Sequence, residues 1–164
     1  MLHRFFIILL FSSCTSVAAV DKTGIPGDTI STSNTSTDQK ALRRTAINLI
    51  GSPYKYGGSS PNGFDCSGFT SYIYKTVLNV PLNRSSAEQS KMGKSVKTDE
   101  LEIGDLVFFK LTPKGKINHV AMVVDGTDGN MVVIHSTSSS GVIMQDILAS
   151  NYWKSKIVFA KRIL

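Results

Sequence analysis

The order of helical and strand-like segments constrains the fold of this chain more than any other feature. Apolar side chains recur at helical spacing over residues 38–50 and 66–79, and a short helix is predicted near 85–92. From Asp105 onward, β-branched and aromatic runs separated by turns predict strands at 105–110, 119–125, 131–135, 142–145 and 157–163. Helices that come before strands indicate an α+β fold with an antiparallel sheet.

The size and charge of the chain limit its organisation and its partners. Its 164 residues, 41 % of them apolar, suit one core, so we expect a single monomeric domain over residues 38–164. Lys and Arg number 18 against 12 Asp and Glu, an excess that suits anionic polymers or membranes but also an ordinary solvated surface. The sequence has no zinc-finger spacing, RNA-binding signature or dense basic run, which argues against nucleic-acid binding.

The first residues predict export from the cell. A basic start is followed by an apolar run of seven residues, too short to span a bilayer. Cys14 then follows two serines, as in a bacterial lipobox, although Phe11 stands where leucine is usual. We therefore interpret residues 1–19 as an export signal, with lipidation of Cys14 favoured over cleavage after Ala19. Residues 20–37, rich in Ser and Thr, are predicted to be a flexible tether. The expected location is the periplasmic face of a membrane in the cell envelope.

Cys66 is the candidate nucleophile. It follows the glycine-containing loop 57–65 at the predicted start of a helix, where unpaired backbone N–H groups favour a thiolate. If Cys14 is acylated or removed with the leader, Cys66 remains as a free thiol in an exported protein. A small core residue is the ordinary alternative for a cysteine in a helix.

Two histidines could serve such a thiol. His119 and His135 lie on predicted strands joined by a turn over residues 125–130, and a turn centred near residue 127 would place them opposite or nearly opposite each other. A Cys–His–polar arrangement performs acyl transfer. We assign Cys66 as nucleophile, His119 as general base and acid, and His135 as the residue that orients His119 by accepting its Nδ1–H.

This assignment has two consequences. Because His135 accepts a hydrogen bond only while neutral, activity is expected to fall below about pH 6. One cysteine and two histidines without a close pair such as Cys-x-x-Cys do not favour zinc, so we expect neither a metal nor a cofactor.

Five ordered blocks of sequence resemble the NlpC family of cell-wall cysteine peptidases over residues 40–163. The blocks are Pro-Tyr-Lys-Tyr-Gly-Gly (53–58), Phe-Asp-Cys-Ser-Gly-Phe (64–69), Pro-Leu-Asn-Arg-Ser-Ser-Ala-Glu-Gln (81–89), Gly-Asp-Leu-Val-Phe-Phe (104–109) and His-Val-Ala-Met-Val-Val (119–124). The resemblance implies a papain-like α+β core. It also implies hydrolysis of peptidoglycan stem peptides, typically between D-γ-glutamyl and diaminopimelate, or at crosslinks.

Matched by position, the resemblance implies roles for further residues. It makes Cys66, His119 and His135 the catalytic three. Tyr54 corresponds to a tyrosine near the oxyanion, and Asp65 and Ser67 to positions close to the substrate. It also favours a lipoprotein held at a membrane by its N-terminus.

Two departures and three alternative functions accompany the resemblance. Asn83-Arg84 stands where Pro-Arg is usual, which is expected to change only a loop, and Lys114-Gly-Lys-Ile-Asn118 precedes His119 where relatives vary in length. A cell-wall amidase or an acyltransferase could use the same Cys–His core. A noncatalytic wall-binding module is disfavoured because all three catalytic positions are filled.

Overall fold

A computed structural model describes residues 29–127 and 129–163, with side chains from residue 35 onward. The predicted export signal at 1–19, Cys14 and the first part of the predicted tether lie outside the described residues. Among the residues described, no helix combines the length and the apolar character needed to cross a bilayer.

Four helices are present in the described part of the chain: α1 (Thr29–Ile47), α2 (Cys66–Leu78), α3 (Ser86–Gln89) and α4 (Asn151–Lys154). The predicted start of the first helix at residue 38 is wrong, because α1 begins at Thr29 and residues 29–37 of the predicted tether are helical. The burial of Leu42 and Ala46 holds the helix in place, and extending an existing helix through weak helix formers such as Ser and Thr requires no new nucleus.

The strands are β1 (Ser59–Ser60), β2 (Gly63–Phe64), β3 (Lys94–Val96), β4 (Leu106–Phe109), β5 (His119–Asp125), β6 (Val132–Thr137), β7 (Gly141–Asp146) and β8 (Ile157–Arg162). The first two form a small hairpin, and the others form an antiparallel sheet in the order β3-β8-β4-β5-β6-β7. The predicted α+β architecture is therefore confirmed. The prediction missed β1, β2 and β3, which are too short to show an alternating pattern.

The large sheet buries a separate apolar cluster on each face, because successive strand residues point to opposite sides. One cluster joins the sheet to α1 and α2, through residues such as Leu42, Phe69 and Phe108. The other, which includes Phe109 and Val133, is covered by Trp153 of α4 and the segments around it.

The register between β5 and β6 places the two histidines. Met122 lies opposite Ile134, and a bulge near Asp125 shifts the pairing toward the turn. Continuing this register puts His135 opposite Ala121 rather than opposite His119, so the two histidines are diagonal neighbours. Because the difference from direct opposition is two residues, both side chains still share one face of the sheet.

Candidate active site

Cys66 is the first residue of α2, as the sequence predicted. Asp65 caps the helix in an extended conformation, and its carboxylate Oδ1 accepts a hydrogen bond of 2.7 Å from the Gly68 N–H. The thiol is free and half-buried. The helix start therefore fixes the sulfur at a defined point beside the sheet.

The helix start favours a thiolate at Cys66, but other groups around the sulfur act against it. Burial and the negative charge of Asp65 raise the pKa of the Cys66 thiol. Hydrogen bonds from the backbone N–H groups of Val120, Ser67 and Cys66 itself lower it, but they do not outweigh burial. The resting group is the neutral thiol, and another group must take its proton before sulfur can react.

The two imidazole rings are in direct contact. Nε2 of His119 lies 2.9 Å from Nδ1 of His135, and the side chains are only 5 % and 0 % exposed. The sequence predicted this partnership but assigned it to Nδ1 of His119, whereas the structure uses Nε2. Nδ1 of His119 is thereby left out of the bond between the rings, and His119 lines a cavity together with Cys66.

Burial keeps both rings neutral well into the acid range. Burial, together with the neighbouring His135, lowers the pKa of His119 to about 3. Burial lowers the pKa of His135 to about 4, although a hydrogen bond from the His135 ring to the Gln145 side chain acts in the opposite direction. We therefore expect the loss of activity to begin at a lower pH than the value of about 6 expected from the sequence.

Trp153 packs against both histidine rings and was missed by the sequence analysis. Its ring centroid lies 5.0 Å from that of His119 and 4.7 Å from that of His135, and Phe109 packs edge-on against it at 5.4 Å. The Ser150 side chain caps the short helix α4 that carries Trp153. The serine three residues before the single tryptophan is the only local sequence signal for this element.

Arg84 holds the region around the nucleophile together, and the sequence analysis gave it no role. Its guanidinium contacts both carboxylate oxygens of Asp65, at 2.9 and 2.7 Å. It also donates to the Ser67 hydroxyl at 3.1 Å and to the Gly58 carbonyl at 3.3 Å. Burial raises the pKa of Asp65, but the hydrogen bonds from Arg84, Gly68 and Gly57 and the charge of Arg84 bring it below its ordinary value. Asp65 is therefore anionic at neutral pH.

Two glycines allow the loop before α2 to pack directly against the helix. A Cβ atom added at Gly68 would collide with the carbonyl oxygen of Gly58, and one added at Gly58 would collide with that of Gly63. The Gly58 carbonyl also accepts a hydrogen bond from the Asp65 N–H at 3.0 Å. Close backbone approach is thus the reason for glycine at both positions.

Two cavities meet at the thiol. One of about 460 Å³ is lined by Asp65, Arg84 and Ser85 and carries both signs of charge. The other, of about 360 Å³, is lined by His119, the hydroxyl-bearing residues 136–139, and Trp153, with no charged side chain. Tyr54, Cys66 and Asn118 line both cavities.

Tyr54 lies where these cavities join. Burial, Cys66 and Asp65 raise the pKa of its phenol, so the hydroxyl keeps its proton and can donate a hydrogen bond beside the sulfur.

Within residues 29–127 and 129–163, no group of three or more His, Cys, Asp or Glu side chains could hold a metal ion.

Comparison with known proteins identifies the family. Residues 51–162 match the NlpC/P60 family, a span that includes every site residue described above. The chain belongs to the NlpC/P60 family. The resemblance seen in the sequence is thereby confirmed, and the papain-like α+β fold with it.

Individual NlpC/P60 relatives carry different activities in their names. The chain is 39 % identical over 130 residues to a gamma-DL-glutamyl hydrolase of Bacillus subtilis. The matched region covers 77 % of this chain and 30 % of the relative. The chain is also 39 % identical over 111 residues to the murein DD-endopeptidase MepS/murein LD-carboxypeptidase of Escherichia coli, covering 68 % of this chain and 55 % of the relative. The chain thus spans about a third to a half of these relatives.

A solved structure supports the fold. The crystal structure of an NlpC/P60 family protein from Bacillus cereus matches 77 % of this chain and 40 % of its own, with a TM-score of 0.68 and 37 % sequence identity.

Proposed function

We propose that this NlpC/P60 protein is a cysteine endopeptidase that hydrolyses peptidoglycan stem peptides through an acyl-enzyme on Cys66. The observation that carries the proposal is the shared cavity of Cys66 and His119, with His119 hydrogen-bonded to His135 behind it. The names of the relatives, a glutamyl hydrolase and a murein endopeptidase, support this substrate class.

The protonation states define the first step. The thiol and the imidazole are both neutral at rest, so the proton passes from Sγ to Nδ1 of His119 as sulfur attacks the scissile carbonyl carbon. Nε2 of His119 keeps its hydrogen and donates a hydrogen bond to Nδ1 of His135. This hydrogen bond stabilises the imidazolium that forms on His119. The backbone N–H of Cys66 and the Tyr54 hydroxyl are the donors available to the tetrahedral oxyanion.

The second half of the reaction reverses the roles. The imidazolium gives its proton to the leaving amine as the C–N bond breaks, and a thioester remains on Cys66. Water then attacks the thioester while His119 takes its proton, and the thiolate leaves and is reprotonated. The products are a free carboxylate and a free amine, with the enzyme unchanged.

The two cavities give the substrate a direction. The leaving amine must receive its proton from His119, so the leaving half of the substrate occupies the uncharged cavity that His119 lines. The acyl half then lies in the charged cavity beside Asp65, Ser67 and Arg84. This orientation suits an acyl segment that carries its own charged groups, as a γ-glutamyl residue does.

The same proposal includes the cellular setting. The apolar leader and Cys14 would attach the mature protein, as a monomer, to a membrane of the cell envelope, within reach of peptidoglycan. Mass spectrometry of the mature N-terminus tests this part. A diacylated or triacylated Cys14 supports it, and an unmodified terminus after Ala19 refutes lipid attachment.

Digestion of isolated cell walls tests the activity. The mature protein should release muropeptides that carry a new free amine on diaminopimelate, either from the γ-glutamyl bond or from a crosslink. Cys66→Ala should abolish release, while Thr76→Ala, an exposed position on the same helix, should leave it unchanged. Equal melting temperatures of the two variants would exclude a folding defect.

The products also separate this proposal from the other activities. A new lactyl carboxylate on the sugar would identify an amidase, and a transferred acyl chain an acyltransferase. Wall binding without products would identify a noncatalytic module. Each of these outcomes, or full activity of Cys66→Ala, would overturn the proposal.

A further inference from the structure

One nitrogen of the histidine pair has no regular hydrogen-bond partner. His135 is completely buried, and its Nδ1 is engaged by His119. Its Nε2 is the buried side-chain nitrogen for which the described residues provide no partner of good geometry. Leaving a buried polar group unpaired destabilises the folded protein, so a partner for Nε2 is expected nearby.

The proposed reaction determines whether Nε2 of His135 carries a hydrogen. For Nδ1 of His119 to accept the proton from Cys66, the resting His119 must carry its hydrogen on Nε2. That hydrogen is donated to Nδ1 of His135, which must therefore be bare. A neutral His135 then holds its own hydrogen on Nε2, and this buried N–H needs an acceptor.

The sheet register brings Gln145 to this position. In the pairing of β6 with β7, Val133 lies opposite Gln145 and His135 opposite Ile143. Gln145 is therefore a diagonal neighbour of His135 on the same face, a separation that a long side chain can bridge. Its effect on His135 is that of a hydrogen-bond acceptor, since it raises the pKa of the ring against burial. The effect of Gln145 on the pKa of His135 agrees with the missing partner of Nε2 if the hydrogen bond between them is long or poorly aligned.

The aromatic group on the other side of His135 cannot supply the acceptor. Trp153 packs on the ring with centroids 4.7 Å apart, but an indole nitrogen only donates. His119 already uses the opposite nitrogen. Gln145 is thus the polar side chain that the sheet register and the shift in the pKa of His135 connect to this end of the ring.

We propose that Gln145 is a positioning residue: its Oε1 accepts the Nε2–H of His135 and holds His135 in the tautomer that receives a hydrogen bond from His119. Both the tautomer assigned to His135 and its consequence for catalysis rest on the proposed function, but the tautomer can be measured without any turnover. Gln145 is thus the outermost member of a chain that runs through His135 and His119 to Cys66.

Nitrogen-15 NMR of the imidazole rings tests the tautomer without any turnover. In the full mature protein carrying Cys66→Ala, His135 should show a protonated Nε2 and a bare Nδ1. Gln145→Leu should produce a mixture of the two tautomers, and Gln145→Glu, which keeps an acceptor oxygen, should restore the first. Gln145→Asn, which keeps a polar amide on a shorter arm, provides a second variant if Gln145→Leu does not fold.

Kinetics on a soluble muropeptide test the consequence. Gln145→Leu and Gln145→Asn should lower kcat about tenfold, with KM changed by less than about twofold, because the hydrogen bond acts on the imidazolium formed during reaction. Gln145→Glu should recover most of kcat. Met144→Leu is the matched control, since Met144 is 51 % exposed and lies on the opposite face of β7.

The outcomes distinguish this proposal from the proposed function. An unchanged His135 tautomer in both Gln145→Leu and Gln145→Asn would overturn the positioning role, as would an unchanged kcat. If the tautomer responds as expected but wild-type protein cleaves no muropeptide, the proposed function fails while the structural role of Gln145 is supported.

Discussion

Substitutions at Asp65 would separate two contributions of its carboxylate to the start of α2. Asp65→Asn keeps an oxygen that can accept from the Gly68 N–H, but it removes the charge that faces Arg84. Asp65→Ala removes both interactions. The difference between the variants therefore measures the helix cap, and the effect of Asn measures the ion pair.

The contacts set the expected magnitudes. Loss of an N-cap side chain costs about 1 kcal/mol. The pair with Arg84 is bidentate, but solvent screens it because the arginine side chain is 48 % exposed and that of Asp65 is 13 % exposed. We therefore assign the pair about 1 kcal/mol, near the upper end for exposed pairs. Asp65→Asn should lower the free energy of unfolding by about 1 kcal/mol and Asp65→Ala by about 2 kcal/mol.

Urea denaturation measures these changes in the free energy of unfolding. The variants compared are Asp65→Asn, Asp65→Ala, Arg84→Met and the double variant Asp65→Asn/Arg84→Met. The double-mutant cycle should give a coupling free energy of about 1 kcal/mol between Asp65 and Arg84. Equal destabilisation by Asn and Ala would refute the capping argument. Additive effects within about 0.3 kcal/mol would refute the ion pair.

The same variant tests the electrostatics of the nucleophile. Because the charge of Asp65 raises the pKa of Cys66, Asp65→Asn should lower that pKa. The pH dependence of alkylation by iodoacetamide reports the change, and an unchanged or higher pKa would contradict the reasoning.

The pKa of Asp65 is lowered in the folded state, so its contribution to stability should be present at neutral pH and lost as the pH falls below about 3.9. The Asn variant should lack this loss.

Four further predictions concern the rings and the loop. Since burial lowers the pKa values of His119 and His135 to about 3 and about 4, kcat/KM should hold down to about pH 5 and fall near pH 4; a midpoint at pH 6 would contradict this. Stability should decline at higher pH than activity, from about pH 6.5 downward, because between about pH 6.5 and pH 4 only the unfolded chain takes up protons on these imidazoles. Melting temperatures measured across this pH range test the decline. Trp153→Ala should admit water, raise both pKa values and move the acid limb of kcat/KM upward. Gly68→Ala should lower stability by about 1–3 kcal/mol and slow catalysis, because its methyl group would displace the Gly58 carbonyl; a thermal melt and a muropeptide assay would detect both effects.

Local signals in the sequence located much of the candidate site. The helix start at Cys66 follows from a glycine-containing loop and a capping aspartate, which act within a few residues of the thiol. The strands that carry His119 and His135 follow from continuous β-branched and aromatic runs. Interactions over distance gave no such signal: Arg84 meets Asp65 across 19 positions of sequence, and Trp153 reaches both histidines from a four-residue helix.

The sequence by itself determined the order of elements, the helix start that bears the thiol and the family of the chain, because each depends on residue patterns along a continuous stretch. Only the tertiary structure decided the register that makes the histidines diagonal neighbours, the nitrogen that joins them and the direction of each pKa shift. The register and the joining nitrogen depend on how the strands pair, and the pKa shifts depend on how completely distant side chains exclude water from a group; both exist only once the sheet and helices have packed together.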